Sequence, residues 1–276
     1  MNIEWFVIGA GAVVLLYIFY RIVLVFFNIL GPYVFFRPID LKKKAGASWA
    51  IVTGATDGIG KSYCFELARR GFNIYLVSRT ESKLVQTKKD ILAKHPNVQI
   101  HYATFDFTNP SSTGYKELLS QLNEVNIGIL INNVGMFFEY PDYIHQMGGG
   151  LEKLVDVAIV NMLPPTLKYV SWLTATLRKE YGHQGILFQT ITPFIVATKM
   201  AGNPNTSFFY PDSDSFAKSA LNTIGNSNDT TGYIAHQLQY EMMNLMPEFL
   251  FDRAVLKTSA ELKERALKNR EETSLP

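Results

Sequence analysis

From residue 48 onward, short apolar runs alternate with longer stretches of helical period. The runs "WAIV" (49–52), "NIYLV" (73–77), "VQIHYA" (98–103) and "IGILI" (127–131) have strand length, with little polar interruption. Between them, residues 58–70, 81–94 and 111–122 repeat apolar positions at helix spacing. Strands that are apolar throughout are buried on both faces, and strands alternating with helices give a parallel sheet with helices on either side. The pattern therefore predicts an α/β, doubly wound domain over 48–258, with a charged helical tail at 259–276. "EMMNLMPEFLF" (241–251) is too short to cross a bilayer. It is expected to be a core or substrate-flap helix, with contact to a membrane surface as the sharper alternative.

The first 36 residues follow a different rule. Trp5–Tyr20 and Ile22–Phe36 carry no charge and only Arg21 interrupts them. About 20 apolar residues span a bilayer, so 1–36 is long enough for an anchor helix, with Gly31-Pro32 as its break. A cleaved signal peptide would want a basic start, whereas this one carries Glu4. The linker at 37–47 brings Arg37, Lys42, Lys43 and Lys44 against one Asp40. By the positive-inside rule the domain faces the cytosol.

Composition narrows the picture further. Lys and Arg total 26 against 24 Asp and Glu, without a long basic run, so nucleic acid is not an expected partner. One cysteine, Cys64, excludes an internal disulfide framework and a thiolate metal site, and the five histidines lack ligand spacing. No metal is expected.

"TGATDGIG" (53–60) follows the first strand and opens a helix. Glycines at 54, 58 and 60 let backbone turn sharply and approach a pyrophosphate, and the helix N-terminus offers N–H groups to it. Gly54, Thr56, Asp57, Gly58, Ile59 and Gly60 are thus candidate cofactor-binding residues of a Rossmann-like sheet. Ser78 and Arg79 close the second strand, where an acidic residue would grip the ribose hydroxyls of NAD. Arg79 instead suits the 2′-phosphate of NADP(H), against the plainer reading of a solvated arginine. Asp106 either accepts from the adenine amino group or is an ordinary turn residue. Asn133 and Gly135, in "INNVG" (131–135), either line the adenosine ribose or brace the sheet.

Thr53-Gly-x3-Gly-x-Gly, Asp106, Asn132-Asn-Val-Gly and Asn161 occur in the order of the short-chain dehydrogenase/reductases. With the anchor and "PFIVATKM" (193–200), the chain resembles their membrane-bound branch of 17-beta-hydroxysteroid dehydrogenases and very-long-chain 3-oxoacyl-CoA reductases. The resemblance runs from the anchor to about Pro247. It implies an NADP(H)-dependent oxidoreductase of the endoplasmic reticulum membrane acting on a lipid or steroid ketone. It also implies that Thr198 sits near the nicotinamide carboxamide and that Asn161 belongs to the catalytic tetrad.

The family's chemistry needs a Ser and a Tyr-x-x-x-Lys as well. Residues at i and i+4 share a helix face, so the ammonium lies beside the phenol and lowers a pKa that starts near about 10. None of the 14 tyrosines has Lys four residues later. "KYVSWLTATLRKEYGHQGI" reads like the family's helix just after its catalytic Lys, and 31 residues between Asn161 and Pro193 leave no room for the missing segment. Lys168 and Tyr169 are neighbours and point about 100° apart on a helix, so they make no substitute pair. One internal strand of the sheet is therefore expected to be missing, with "ILFQTI" (186–191) pairing across the gap. Three readings follow. The chain is a shortened version of an active reductase, a non-catalytic NADP(H)-binding membrane protein that pairs with an active relative, or a product that folds poorly.

Overall fold

The computed structural model describes residues 3–108, 112–135, 166–202 and 205–247, with further positions between 249 and 264. Strands β1 (Trp49–Thr53), β2 (Asn73–Ser78), β3 (Ile100–Thr104) and β4 (Ile127–Ile131) form a parallel sheet in the order β3-β2-β1-β4. Helices α3 (Gly58–Arg69), α4 (Glu81–Lys94) and α5 (Ser112–Leu122) connect them, within a residue or two of the predicted limits.

All five residues of β1 are buried. Successive side chains along a strand point to opposite faces, and the core divides accordingly. Ala50 and Val52 join Leu67, Phe72, Leu84 and Phe216 on one face, while Trp49 and Ile51 join Tyr75, Phe105 and Leu118 on the other. Helix α7 (Ser213–Asn222) completes the first layer by packing on α3, where the Ser62 hydroxyl donates to Ser213 at 2.8 Å.

The expected pairing across the gap does not form. Strand β5 is only Thr190–Ile191 and pairs in parallel with β6 (Asp229–Thr230), in a sheet separate from the first. Among the described residues β4 pairs with β1 alone, and its Ile127 and Leu130 are exposed. Among the described residues β5 pairs with β6 alone. Helix α6 (Thr166–Tyr181) precedes β5 and ends at Tyr181, as the glycine after it suggests.

The apolar start is a single helix, α1 (Ile3–Leu30), long and apolar enough to cross a membrane. The chain does not break at Gly31-Pro32 but continues through a π-helical turn, Gly31–Phe35, before Phe36 becomes extended. The linker holds one short helix, α2 (Leu41–Ala45), capped by the Asp40 carboxylate accepting from the Lys43 N–H. Helix α8 (Ile234–Leu245) is buried at Ala235, His236, Gln237 and Glu241, while Met242, Leu245, Met246, Phe249 and Leu250 are exposed. The core expectation for 241–251 thus fails at those five apolar positions, while Met243 is half-buried.

Candidate cofactor site

The glycine-rich loop is built by hydrogen bonds between three strand ends. Gly54 N–H donates to Val77 O at 2.9 Å, tying the loop to β2. The Thr53 hydroxyl accepts from the N–H groups of Asn133 (3.0 Å) and Val134 (3.3 Å), tying it to β4. Gly54 and Gly58 have φ of +64° and +52°, a region that side chains disfavour. Asp57 caps α3, its carboxylate accepting from the Gly58 N–H at 2.8 Å.

These elements enclose a cavity of about 310 Å³ at the C-terminal ends of β1, β2 and β4. Of the twelve proposed cofactor-binding positions, eleven line it, from Gly54 at the loop to Ser78 and Arg79, Asp106, Asn133, Gly135 and Thr198. Gly60 does not. A Cβ there would sit 2.2 Å from Gly54 O and 2.5 Å from the Asn133 side-chain nitrogen. Its missing side chain lets the first turn of α3 close on the loop and on β4, a packing role rather than a lining one. Asn133 does brace the sheet, as one of its two readings held, and it lines the cavity as well.

Asp106 is a turn residue by geometry. Its carboxylate accepts from the Thr108 N–H (2.9 Å) and hydroxyl (2.8 Å), which hold its pKa below the usual range, with the Arg79 charge adding to the effect. The residue also lines the cavity. The Thr56 and Ser78 hydroxyls meet at 3.1 Å across the floor. Thr198 lies over the loop, its methyl 3.3 Å from where a Gly58 side chain would begin.

Sequence reasoning missed several walls. Phe105 and Phe107, ring centroids 4.7 Å apart and edge to face, flank Asp106. Lys199 follows Thr198 and pairs with Asp57 at 3.4 Å. The aromatic pair was visible in "TFDFT"; the Lys199 contact joins positions 142 residues apart and had no local signal.

Asn161 and the junction at 161–165 lie outside the described residues. Lys168 and Tyr169 are consecutive positions of α6.

A parallel sheet with a glycine-rich turn leading into a helix, and a cavity at the strands' C-terminal ends, defines a dinucleotide-binding fold of the Rossmann type. The short chain dehydrogenase profile matches residues 48–163. A Caenorhabditis elegans protein, provisionally named steroid dehydrogenase 2, is 57% identical over 314 aligned positions covering all of both chains. The C. elegans very-long-chain 3-oxoacyl-CoA reductase is 52% identical over 310, covering 98% of each. A short-chain dehydrogenase from Sphingobium yanoikuyae, solved with NADPH, superposes with a TM-score of 0.53 at 23% identity, over 63% of this chain and 83% of its own. The chain belongs to the short-chain dehydrogenase family. The first alignment runs over 314 positions while this chain has 276 residues, so 38 of those positions have no residue here. Both chains are matched end to end, which makes the shortfall internal.

Proposed function

We propose that this chain is a membrane-anchored, NADP(H)-binding member of the steroid dehydrogenase and very-long-chain 3-oxoacyl-CoA reductase branch that keeps the cofactor half of the site and lacks its proton donor. The lineage reaction is the NADP(H)-linked interconversion of a ketone and an alcohol on a steroid or fatty acyl chain. When bound, the dinucleotide supplies or accepts the hydride.

The observation that carries the reading is the convergence of eleven separately chosen positions on one cavity. Gly54 and Gly58 leave room for a pyrophosphate, and the first turn of α3 presents N–H groups without intrahelical partners to it. Arg79, at the end of β2, is placed to pair with a 2′-phosphate, and Ser78 beside it supplies a hydroxyl. Phe105 and Phe107 give an apolar wall next to Asp106 that suits an adenine ring. Thr198 covers the side of the loop from which the nicotinamide end would leave.

The proton half is absent from the sequence itself, with no Tyr-x-x-x-Lys anywhere in 276 residues. The 38 unmatched alignment positions support loss of an internal segment large enough to hold a strand, the Ser and that motif. Such a chain binds the cofactor without completing the reaction, and it acts by pairing with an active relative at the endoplasmic reticulum membrane, domain toward the cytosol.

The test is single-turnover oxidation of bound NADPH by a 3-oxoacyl-CoA and by a steroid ketone. The expected trace is flat for both. Stoichiometric oxidation with either substrate overturns the loss of the proton donor.

A further inference from the structure

The anchor helix is bolted to the domain, not tethered to it. The Asn28 side-chain N–H donates to Glu241 at 3.0 Å, and Gln237 donates to the same carboxylate oxygen at 3.1 Å. The Tyr33 hydroxyl meets those of Thr230 (2.6 Å) and Thr231 (3.3 Å), and the Asn226 amide donates to Arg37 O at 3.2 Å. Helix α1 and the turn after it thereby hold α8 and the end of β6 in fixed register.

The length of α1 sets the depth of that contact. Twenty-eight residues at a rise of about 1.5 Å make about 42 Å, against a hydrocarbon thickness of about 30 Å. The excess is about 12 Å, roughly two turns, and the polar Asn28–Glu241 contact assigns it to the C-terminal end of the helix. Asn28 lies there, and a carboxylate such as Glu241 has no place deeper. Glu241 then sits at the headgroup level. Met242 and Leu245 are one turn apart on α8 immediately after it, 58% and 62% exposed, and Met246, Phe249 and Leu250 continue the apolar surface.

We propose that the apolar end of α8 and the residues just beyond it insert into the acyl–headgroup boundary of the bilayer that α1 crosses. The inference rests on reading α1 as a membrane anchor. The bilayer is the occupant because the hydrogen-bonded contact with α1 places this patch beside the point where the anchor emerges. Interfacial helices bury an apolar face about 5–10 Å deep, within reach of side chains one to two turns from Glu241. The mouth of the cofactor domain is held at a fixed distance from the lipid, an arrangement suited to a long-chain or sterol ligand arriving from the membrane.

The experiment uses the full chain in phosphatidylcholine–phosphatidylserine vesicles. Leu245→Cys, Phe249→Cys and, as a control, Glu261→Cys are each labelled with NBD; the native Cys64 is fully buried and stays unlabelled. Lipids with nitroxides on the acyl chain should remove most of the emission at 245 and 249 and leave that at 261. Unquenched labels at 245 and 249 on a chain that resists alkaline carbonate overturn the inference and leave the anchor standing. Release by carbonate overturns the anchor reading and the inference with it. Disulfide cross-linking between copies at 245 or 249, with no lipid quenching, assigns the patch to a second copy and also overturns it.

Discussion

Strand β1 is buried along five residues between β2 and β4, whereas β5 and β6 pair over two residues each and stand apart from that sheet. The same contrast holds for polar groups. Among the described residues, the buried side-chain atoms without a hydrogen-bond partner are Gln189 Oε1, Thr190 Oγ1, His236 Nδ1 and Gln239 Oε1. All four belong to the β5–β6–α8 side, and none to the glycine loop or its sheet. Buried polar atoms are nearly always satisfied in folded proteins, by protein groups or by water, and these exceptions fall on one side of the molecule. On the proposed function, dinucleotide binding and proton transfer are separable in this fold. The first draws on the β1–β4 sheet and its loops together with Thr198 and Lys199 beyond β5, while the second would need the Ser and Tyr-x-x-x-Lys that the sequence lacks.

The largest expected effect probes the β5–β6 side. Turnover of ketone substrates should lie at least about 10²- to 10⁴-fold below that of the C. elegans reductase, the usual cost of removing general acid–base catalysis. Inserting the relative's segment with its Ser and Tyr-x-x-x-Lys ahead of Lys168 should restore steady-state activity. A graft that folds, binds NADPH and stays inactive would show that the defect extends beyond the missing segment.

Gly60→Ala tests the intact side. Its Cβ would fall inside contact distance of Gly54 O, so loop or helix must shift, at about 1–3 kcal/mol by the usual cost of overpacking. Chemical denaturation should show that loss together with weakened NADPH binding. Unchanged stability would mean that the first turn of α3 does not pack on the loop as described.

Arg79→Asp should weaken NADPH by roughly 10- to 100-fold, the worth of a charge-assisted hydrogen bond, while leaving NADH nearly unchanged. Calorimetric titration of both cofactors checks it. Equal losses for the two would remove Arg79 from 2′-phosphate recognition.

The smallest effect concerns acid stability. Burial pushes the Glu66 carboxyl up, but hydrogen bonds from Arg69 (2.6 and 2.7 Å) and Arg70 (2.9 Å) outweigh it and hold the pKa below the ordinary value. A depressed folded-state pKa contributes stability that is present above the unfolded value, about 4.3, and is lost as pH falls through the folded one. Stability should be flat from pH 7 to about 5 with respect to this group and decline below about 4. Glu66→Gln should flatten that acid limb, followed by thermal unfolding across pH, and an unaltered limb would exclude Glu66 as its source.

What the sequence revealed follows the range of the interactions. The glycine loop, Arg79 and the four long strands are written in contiguous residues, and their helices and strands fell within one or two residues of expectation. Gly60 was singled out from the loop pattern, but half of its need for a bare Cα comes from Asn133, 73 residues away, beside the local contact with Gly54 O. The bolt between Asn28 and Glu241 spans 213 residues and left no pattern. The failure of β5 to cross the gap was equally invisible, since "ILFQTI" has strand character wherever it pairs.

The central claim is that the cofactor half of this chain persists without the catalytic half. It is tested most directly by equilibrium titration of the full chain, held in lipid nanodiscs, with NADPH and NADH. The account predicts saturable one-to-one binding of NADPH, tighter than that of NADH. Absence of NADPH binding by a folded chain would contradict it.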